Sequence, residues 1–499
     1  MLYNSTRDNA VKVTSAEAIT RGISADGGLF VPESFPQLSK DCIAALCKKD
    51  YIGRAKEILS LYLTDYTEEE IDYCVNGAYQ KGKFGSEDVA HLVKTDETTG
   101  ILELWHGPTC AFKDMALQLL PYLLTTAVKK TCKGEEIVIL VATSGDTGKA
   151  ALEGFKDVEG TKIMVFYPEE GVSSMQKRQM CTQEGENVCV CAIKGNFDDA
   201  QTGVKKIFTD PRIGGILAQN GMKFSSANSI NWGRLVPQVV YYVSAYCDMV
   251  TSGTIKLGDR INIVVPTGNF GNILAAYYAY KMGLPVNRLI CASNKNNVLT
   301  DFIATGEYDR NRDFYTTISP SMDILISSNL ERLIYDLSGG DSDYVRDIMS
   351  KLNTDGCYKV TGDIFNKLSA LFAGGCCDDV QTKLTIREMF DGGYLCDTHT
   401  AVGIKVYKDY LAQTGDKTPT VIASTASPYK FCDSVLDALG KNNPEMGEFD
   451  KVDELFRVSG LPIPQALESL KAKPIRFSKS CTGEEMEKAV LSGFLEIGG

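Results

Sequence analysis

Apolar positions along the chain follow two different periods. From residue 100 onward, short and nearly continuous apolar runs recur: "ILELW" (101–105), "EIVILVAT" (136–143), "KIMVFYP" (162–168), "NVCVCAI" (187–193), "INIVVPT" (261–267), "RLICAS" (288–293) and "TVIAST" (420–425). They are rich in β-branched residues and are separated by stretches with helical spacing, which predicts parallel strands covered on both faces by helices. The fold class is therefore α/β, with two lobes. Before residue 95 the period is mainly helical. "DCIAALCKKDYIGRAKEILSLYL" places its apolar residues on one helical face, and "TEEEIDYCVNGAY" opens with Thr67 and Glu70 in the positions of a capping box. Ahead of both, "GISADGGLFVPESFP" is turn-rich and extended. Residues 295–395 interrupt the strand–helix alternation, and "DYVRDIMSKL" and "DIFNKLSALF" predict a helical insertion or satellite lobe. The chain ends in a helix capped by Thr482 and Glu485.

Composition narrows the function classes. The 499 residues are 44% hydrophobic and 23% charged, as in a globular protein with a substantial core. At roughly 100–200 residues per domain, two to four domains or lobes are expected. The net charge is -12, with no basic stripe, which argues against nucleic acid and anionic membrane surfaces but leaves room for a local basic pocket. There are 16 cysteines, no CxxC, and three histidines, His91, His106 and His399, so a metal site has no support. The thiols read as reduced, in a cytosol. "MLYNSTRDNAVK" has neither an apolar signal core nor an Arg-rich transit pattern, and no apolar run approaches the roughly 20 residues of a membrane span. The expectation is a soluble, cytoplasmic protein.

The candidate chemistry sits at strand ends. In "WHGPTCAFKDM", Lys113 lies beside Phe112 at the foot of an apolar run, just after a Gly107-Pro108 turn, and reads as a surface charge, a phosphate contact or a nucleophile. "VATSGDTGKAALEGF" resembles a P-loop but has Thr143 and Ala150 where that motif needs Gly and Ser or Thr. Ser144, Gly145, Asp146 and Thr147 instead form a strand–helix turn whose hydroxyls and N–H groups suit a carboxylate, or only close the turn. "VVPTGNFGNILAAYYAY" carries Gly268, Asn269, Phe270, Gly271 and Asn272 after a buried strand, a pattern that lets main-chain N–H groups approach a phosphate. "TVIASTASPYKF" puts Ser424, Thr425 and Ser427 at another strand end, where a hydroxyl either meets a ligand or caps the next helix. A lysine amine, a phosphate cradle and a strand-end hydroxyl are the parts that pyridoxal 5'-phosphate (PLP) requires. Residue chemistry alone leaves this as one option among several.

The ordered motifs "HGPTCAFKDMALQLL", "VATSGDTGKAALEGF", "SSANSINWGRLVPQ", "PTGNFGN", "DTHTAVG" and "STASPYKF", preceded by "STRD" and "GISADGGLFVPESFP", span nearly the whole chain. They resemble the threonine synthase family, long form. The resemblance implies PLP-dependent fold type II (tryptophan synthase β-like), with two open parallel-sheet lobes, an N-terminal helical domain and an inserted helical segment. On this chain the expected division is 1–95 for the N-terminal domain, 96–135 and 255–499 for the large PLP-binding domain with its insertion at about 295–395, and 136–254 for the small α/β domain. It further implies conversion of O-phospho-L-homoserine and water to L-threonine and phosphate, by a monomer or weak homodimer.

Carried over by position, Lys113 forms the Schiff base with PLP and then moves protons at Cα and Cβ of the substrate. Gly268 to Asn272 hold the cofactor phosphate, and Thr425 meets the pyridine nitrogen. The Ser144–Thr147 turn faces the substrate, and Asn228, Asn231 and Arg234 face its phosphate. Without the resemblance, Arg234 after Trp232 reads as a surface or stacking residue; His106 and His399 lie within the motifs, and each reads equally as a site residue or as a buried structural histidine. Many relatives have His before Pro in the last motif, where this chain has Ser427. The rival expectations are a related phospholyase or serine/threonine dehydratase and, from another class, a nucleotide-binding phosphotransferase.

Overall fold

The computed structural model describes residues 1–496 other than Glu87, Lys133, Ser144, Glu170 and Gly171. Two parallel sheets organise it. The larger has six strands in the order Phe372–Cys376, Val286–Ser293, Ile261–Pro266, Thr420–Ser424, Thr99–Glu103 and His91–Lys94. All neighbours are parallel except the last pair. The smaller has five strands, Ser480–Cys481, Val188–Ile193, Thr161–Pro168, Glu136–Ala142 and Met222–Ser225, all parallel. Central strands such as Ile261–Pro266 and Thr161–Pro168 are buried at every position. That burial explains their continuous apolar runs, since helices cover both faces.

The N-terminal region combines a three-stranded antiparallel sheet, Tyr3–Ser5 between Asp8–Val13 and Phe30–Pro32, with four helices. The helical run read across 41–63 is two helices, Lys40–Leu46 and Tyr51–Tyr62. Asp50 breaks it, because its carboxylate caps the second helix by accepting from Gly53 N at 2.8 Å. The capping boxes at Thr67 and Thr482 form as expected.

Three placements differ from the expected division. The Trp232–Thr251 helix, assigned to the small domain, packs on Tyr51–Tyr62, Lys113–Leu117 and Gly271–Lys281, with Tyr3 and Tyr62 rings 5.0 and 5.6 Å from Trp232. The 295–395 segment is not purely helical: it contributes Phe372–Cys376, the outer strand of the large sheet. The C-terminus leaves the large lobe, since Ser480–Cys481 joins the small sheet and Met486, Val490 and Phe494 of the final helix pack against it. No helix among the described residues is long and apolar enough to cross a membrane.

Candidate active site

The loops leaving four parallel strands of the large sheet, after Glu103, Pro266, Ser293 and Ser424, emerge at one edge, where open α/β sheets bind ligands. The 105–113 loop is held by its own sequence. Thr109 N and Oγ1 donate to Asp114 at 2.8 and 2.7 Å, and a Cβ on Gly107 would lie 2.5 Å from that of Asp114, so only glycine fits. Burial pushes the Asp114 carboxyl up to about 6. Phe112 N donates to Thr425 O at 2.8 Å and Ser427 N to Cys110 O at 3.1 Å, which fixes Lys113 against the Thr425 turn. Cys110 (φ 60°) and Phe270 (φ 63°) take the left-handed conformation that costs a non-glycine residue about 1–3 kcal/mol, and both lie in loops of this site.

Lys113 opens the Lys113–Leu117 helix, with its side chain 11% exposed. Its Nζ donates to Ser321 Oγ at 3.3 Å, lies 3.6 Å from Asp146 Oδ2 and sits 5.1 Å above the Phe112 ring. Burial lowers its pKa, the cations Lys430 and Arg234 add to that shift, and Asp146 opposes it. The shift is towards the neutral amine, the nucleophilic form. Asp146 starts the helix after Gly145, whose φ of 140° requires glycine and whose added Cβ would lie 2.3 Å from Gln176. Burial disfavours the Asp146 charge, but Lys430 and Lys113 outweigh it and hold the carboxyl well below its usual range. Thr147 is half-buried beside it, and Ser144 lies outside the described residues. Lys149 is turned to Glu153, at 3.0 Å, and to Gln183, so it is not poised for a phosphate.

The Gly268–Asn272 segment is shaped from outside. Ser327 Oγ donates to Gly268 O at 2.8 Å, and Asn329 N and Nδ2 donate to Asn269 O at 3.1 and 3.0 Å. With those carbonyls engaged, the following helix, Gly271–Lys281, begins at Phe270 with no side-chain cap. Its first N–H groups are left for a ligand. Tyr241 OH, at 2.8 Å, and Tyr242 OH donate to Asn272 Oδ1, while the buried Asn272 Nδ2 has no partner among the described residues.

Arg234 is 4% exposed, donates from Nη1 to Ala227 O at 2.6 Å and has an unpartnered buried Nε. Burial pulls its guanidinium down to about 10, and no carboxylate among the described residues pairs with it. An orphaned amide and a guanidinium without a counter-ion fit anionic groups, and the Lys113 amine fits the PLP aldehyde. Asn231 caps the Trp232–Thr251 helix through Gly233 N at 2.9 Å and spends its amide on Ile19 O and Ser226 O. Asn228 is exposed.

At the third strand end, Ser427 is the cap: its Oγ accepts from Tyr429 N at 3.3 Å. The Ser424 hydroxyl engages Trp105 Nε1 and Thr400 Oγ1, both at 3.0 Å. Thr425 Oγ1 has no such partner among the described residues and sits beside the Lys113 loop. His399 is committed within the protein: Nδ1 lies 2.8 Å from Asp397, and Nε2 accepts from Ser321 N at 3.2 Å. His106 is stacked on Trp105 and lies 2.7 Å from Glu103 Oε2.

Sequence reasoning did not find Lys430, Ser321, Gln176 or the 319–332 segment. Ser321 touches Lys113 and its carbonyl oxygen lies 2.6 Å from where a Cβ on Gly268 would be. Arg332, fully buried, ties Phe30 O, Ile230 O and Asn329 together behind the loop. "SPSMDILISSN" carries no periodic or glycine signal, so only tertiary contact reveals it.

Three family models match: "Threonine synthase N terminus" over residues 2–79, "Pyridoxal-phosphate dependent enzyme" over 101–425 and "Threonine synthase, C-terminal" over 400–489. "Threonine synthase-like 1" of Homo sapiens is 41% identical over 85% of this chain; the match spans 58% of that relative. "Threonine synthase" of Saccharomyces cerevisiae is 34% identical over 98% of this chain and 99% of its own. The crystal structure of PLP-bound threonine synthase from Brucella melitensis superposes with a TM-score of 0.88, at 35% identity over 99% of both chains. Matched by these models and relatives over nearly its whole length, the chain belongs to the threonine synthase family of PLP-dependent enzymes of fold type II.

Proposed function

We propose that this chain is a threonine synthase, converting O-phospho-L-homoserine and water to L-threonine and phosphate with PLP carried on Lys113. One observation supports this most: two buried or nearly buried cations, Lys113 and Lys430, share one carboxylate, Asp146, while the buried Arg234, whose charge also reaches Lys113, has no carboxylate partner among the described residues. Such an imbalance suits a substrate with an anionic group of its own in addition to the cofactor phosphate.

When bound, PLP supplies an electron sink for the substrate carbons. The chain supplies the rest. The N–H groups after Phe270 and the Asn272 amide hold the cofactor phosphate, with Gly268 and Asn269 giving close backbone approach. Thr425 offers its hydroxyl to the ring nitrogen. The Ser144–Thr147 turn takes the substrate carboxylate. Arg234 grips the substrate phosphate, with Asn228 at the rim and Asn231 fixing the helix that carries it. Lys113, once its amine is free, moves protons at Cα and Cβ; burial lowers its pKa, which eases release of the proton it takes up. We place the protein in the cytoplasm, as its free thiols suggest, as a monomer or weak homodimer without a nucleic-acid partner, in keeping with its net charge of -12.

Product analysis tests the reading. PLP-loaded protein given O-phospho-L-homoserine is expected to release threonine and phosphate in equal amounts. Phosphate released with a 2-oxo acid, and no threonine, assigns the chain instead to the phospholyases or dehydratases.

A further inference from the structure

Lys430 lies in the Pro428–Phe431 turn, its side chain 0% exposed. Burying an ammonium group is costly unless it is paired and hydrogen-bonded. Here its Nζ lies 2.6 Å from Asp146 Oδ1 and donates to Thr109 O at 2.9 Å. Gln176 Nε2 donates to the same Oδ1 at 3.0 Å. The other carboxylate oxygen, Oδ2, is the one that lies 3.6 Å from Lys113 Nζ. The two lysines therefore share one carboxylate, an oxygen each.

The division has a chemical consequence. A lysine that bonds a cofactor and shuttles protons is not a constant counter-ion, because its charge changes during turnover. Were Lys113 its only partner, Asp146 would periodically be a buried, unpaired carboxylate and would take up a proton itself. Lys430 has no such duty. We propose that Lys430 is a positioning residue: as the permanent counter-ion of Asp146 through Oδ1, it keeps Oδ2 charged and aimed at Lys113 Nζ, where the free amine docks between proton transfers. This rests on the reading of Lys113 as the cofactor lysine.

The charged groups facing this cluster come from each element packed on it. Arg234 comes from the Trp232–Thr251 helix, Asp114 from Lys113–Leu117, and Lys149 and Glu153 from Asp146–Phe155. The only alternative role the geometry offers Lys430 is a staple joining the Thr109 loop, the Asp146 turn and its own turn. A staple affects stability alone, whereas a counter-ion also sets proton affinity at Lys113.

The test is a pH titration of the visible absorbance of PLP-loaded protein, which reports protonation of the link between cofactor and Lys113. Removing a buried positive charge raises proton affinity, so Lys430→Met is expected to move the midpoint up by about one pH unit or more. Asp146→Asn is expected to move it down by a similar amount, and Lys430→Arg to leave it near wild type. The double variant Lys430→Met/Asp146→Asn, which leaves neither charge stranded, should return it towards wild type. If one single variant fails to fold, the other decides. A midpoint within about 0.3 pH unit of wild type in the folded single variants overturns the proposal, even where melting temperature falls. Wild-type protein that binds PLP without a visible band is a different failure: it removes the Lys113 reading itself.

Discussion

At the scale of the residue, burial and missing partners carry the account. Arg234 is buried, its Nε has no acceptor and no carboxylate neutralises it among the described residues. If it holds the substrate phosphate, Arg234→Ala removes a charge-assisted hydrogen bond of about 1.5–3 kcal/mol, or about ten- to a hundredfold in affinity. Titration with O-phospho-L-homoserine should show that loss while PLP content stays near wild type; loss of PLP instead assigns Arg234 to the cofactor phosphate. That Lys113 is withdrawn from solvent was legible in the sequence, where it stands at the foot of an apolar run after Gly107-Pro108, although the residues alone left surface charge, phosphate contact and nucleophile open. Lys430 was not, since nothing near it in sequence announces that its partner, Asp146, lies on another lobe. Ser427 is the reverse case. The sequence left its role open, and the structure makes it the cap of its own turn, which leaves the neighbouring Thr425 hydroxyl unspent.

At the scale of the element, the seven buried strands with continuous apolar runs were readable, because a strand covered on both faces needs apolar residues throughout. The missed strands lack that demand. Phe372–Cys376 is "FAGGC", an outer strand in which two glycines replace β-branched residues: a Cβ on Gly374 would lie 3.3 Å from Thr300 Cα, and one on Gly375 2.7 Å from Val406. Close helix packing, not strand propensity, fixes its composition. The glycine cradle after Ile261–Pro266 gives the sharper test. A Cβ on Gly268 would sit 2.6 Å from Ser321 O, a backbone atom that cannot swing aside. Gly268→Ala must shift either the loop or the 319–322 turn, a strain of about 1–3 kcal/mol. Equilibrium dialysis should show PLP bound at least tenfold more weakly; unchanged PLP affinity means that the cofactor phosphate lies elsewhere.

At the scale of the whole molecule, the chain begins and ends in support of lobes that it builds in between. The N-terminal region reaches the site through Tyr79 OH, which donates to Met115 O at 2.5 Å behind Lys113. The last residues cross back to the small sheet, where Ser480 pairs with Ala192 and Cys481 with Ile193. Met486, Val490 and Phe494 are fully buried there, each contributing about 1.5–3 kcal/mol. That return was not legible, because a two-residue strand has no period. Truncation after Lys479 is expected to make the 136–225 region sensitive to limited proteolysis while the large sheet resists; unchanged cleavage and melting contradict that placement. The account as a whole turns on which of three buried or nearly buried amines holds the cofactor: Lys113, beside Ser321 and Asp146; Lys149, engaged by Glu153 and Gln183; or Lys430, engaged by Asp146 and Thr109. Borohydride reduction of the PLP-loaded protein, followed by peptide mapping of every lysine, decides between them. The account predicts one modified peptide, carrying reduced PLP on Lys113; reduced PLP on Lys149, Lys430 or any other lysine contradicts it.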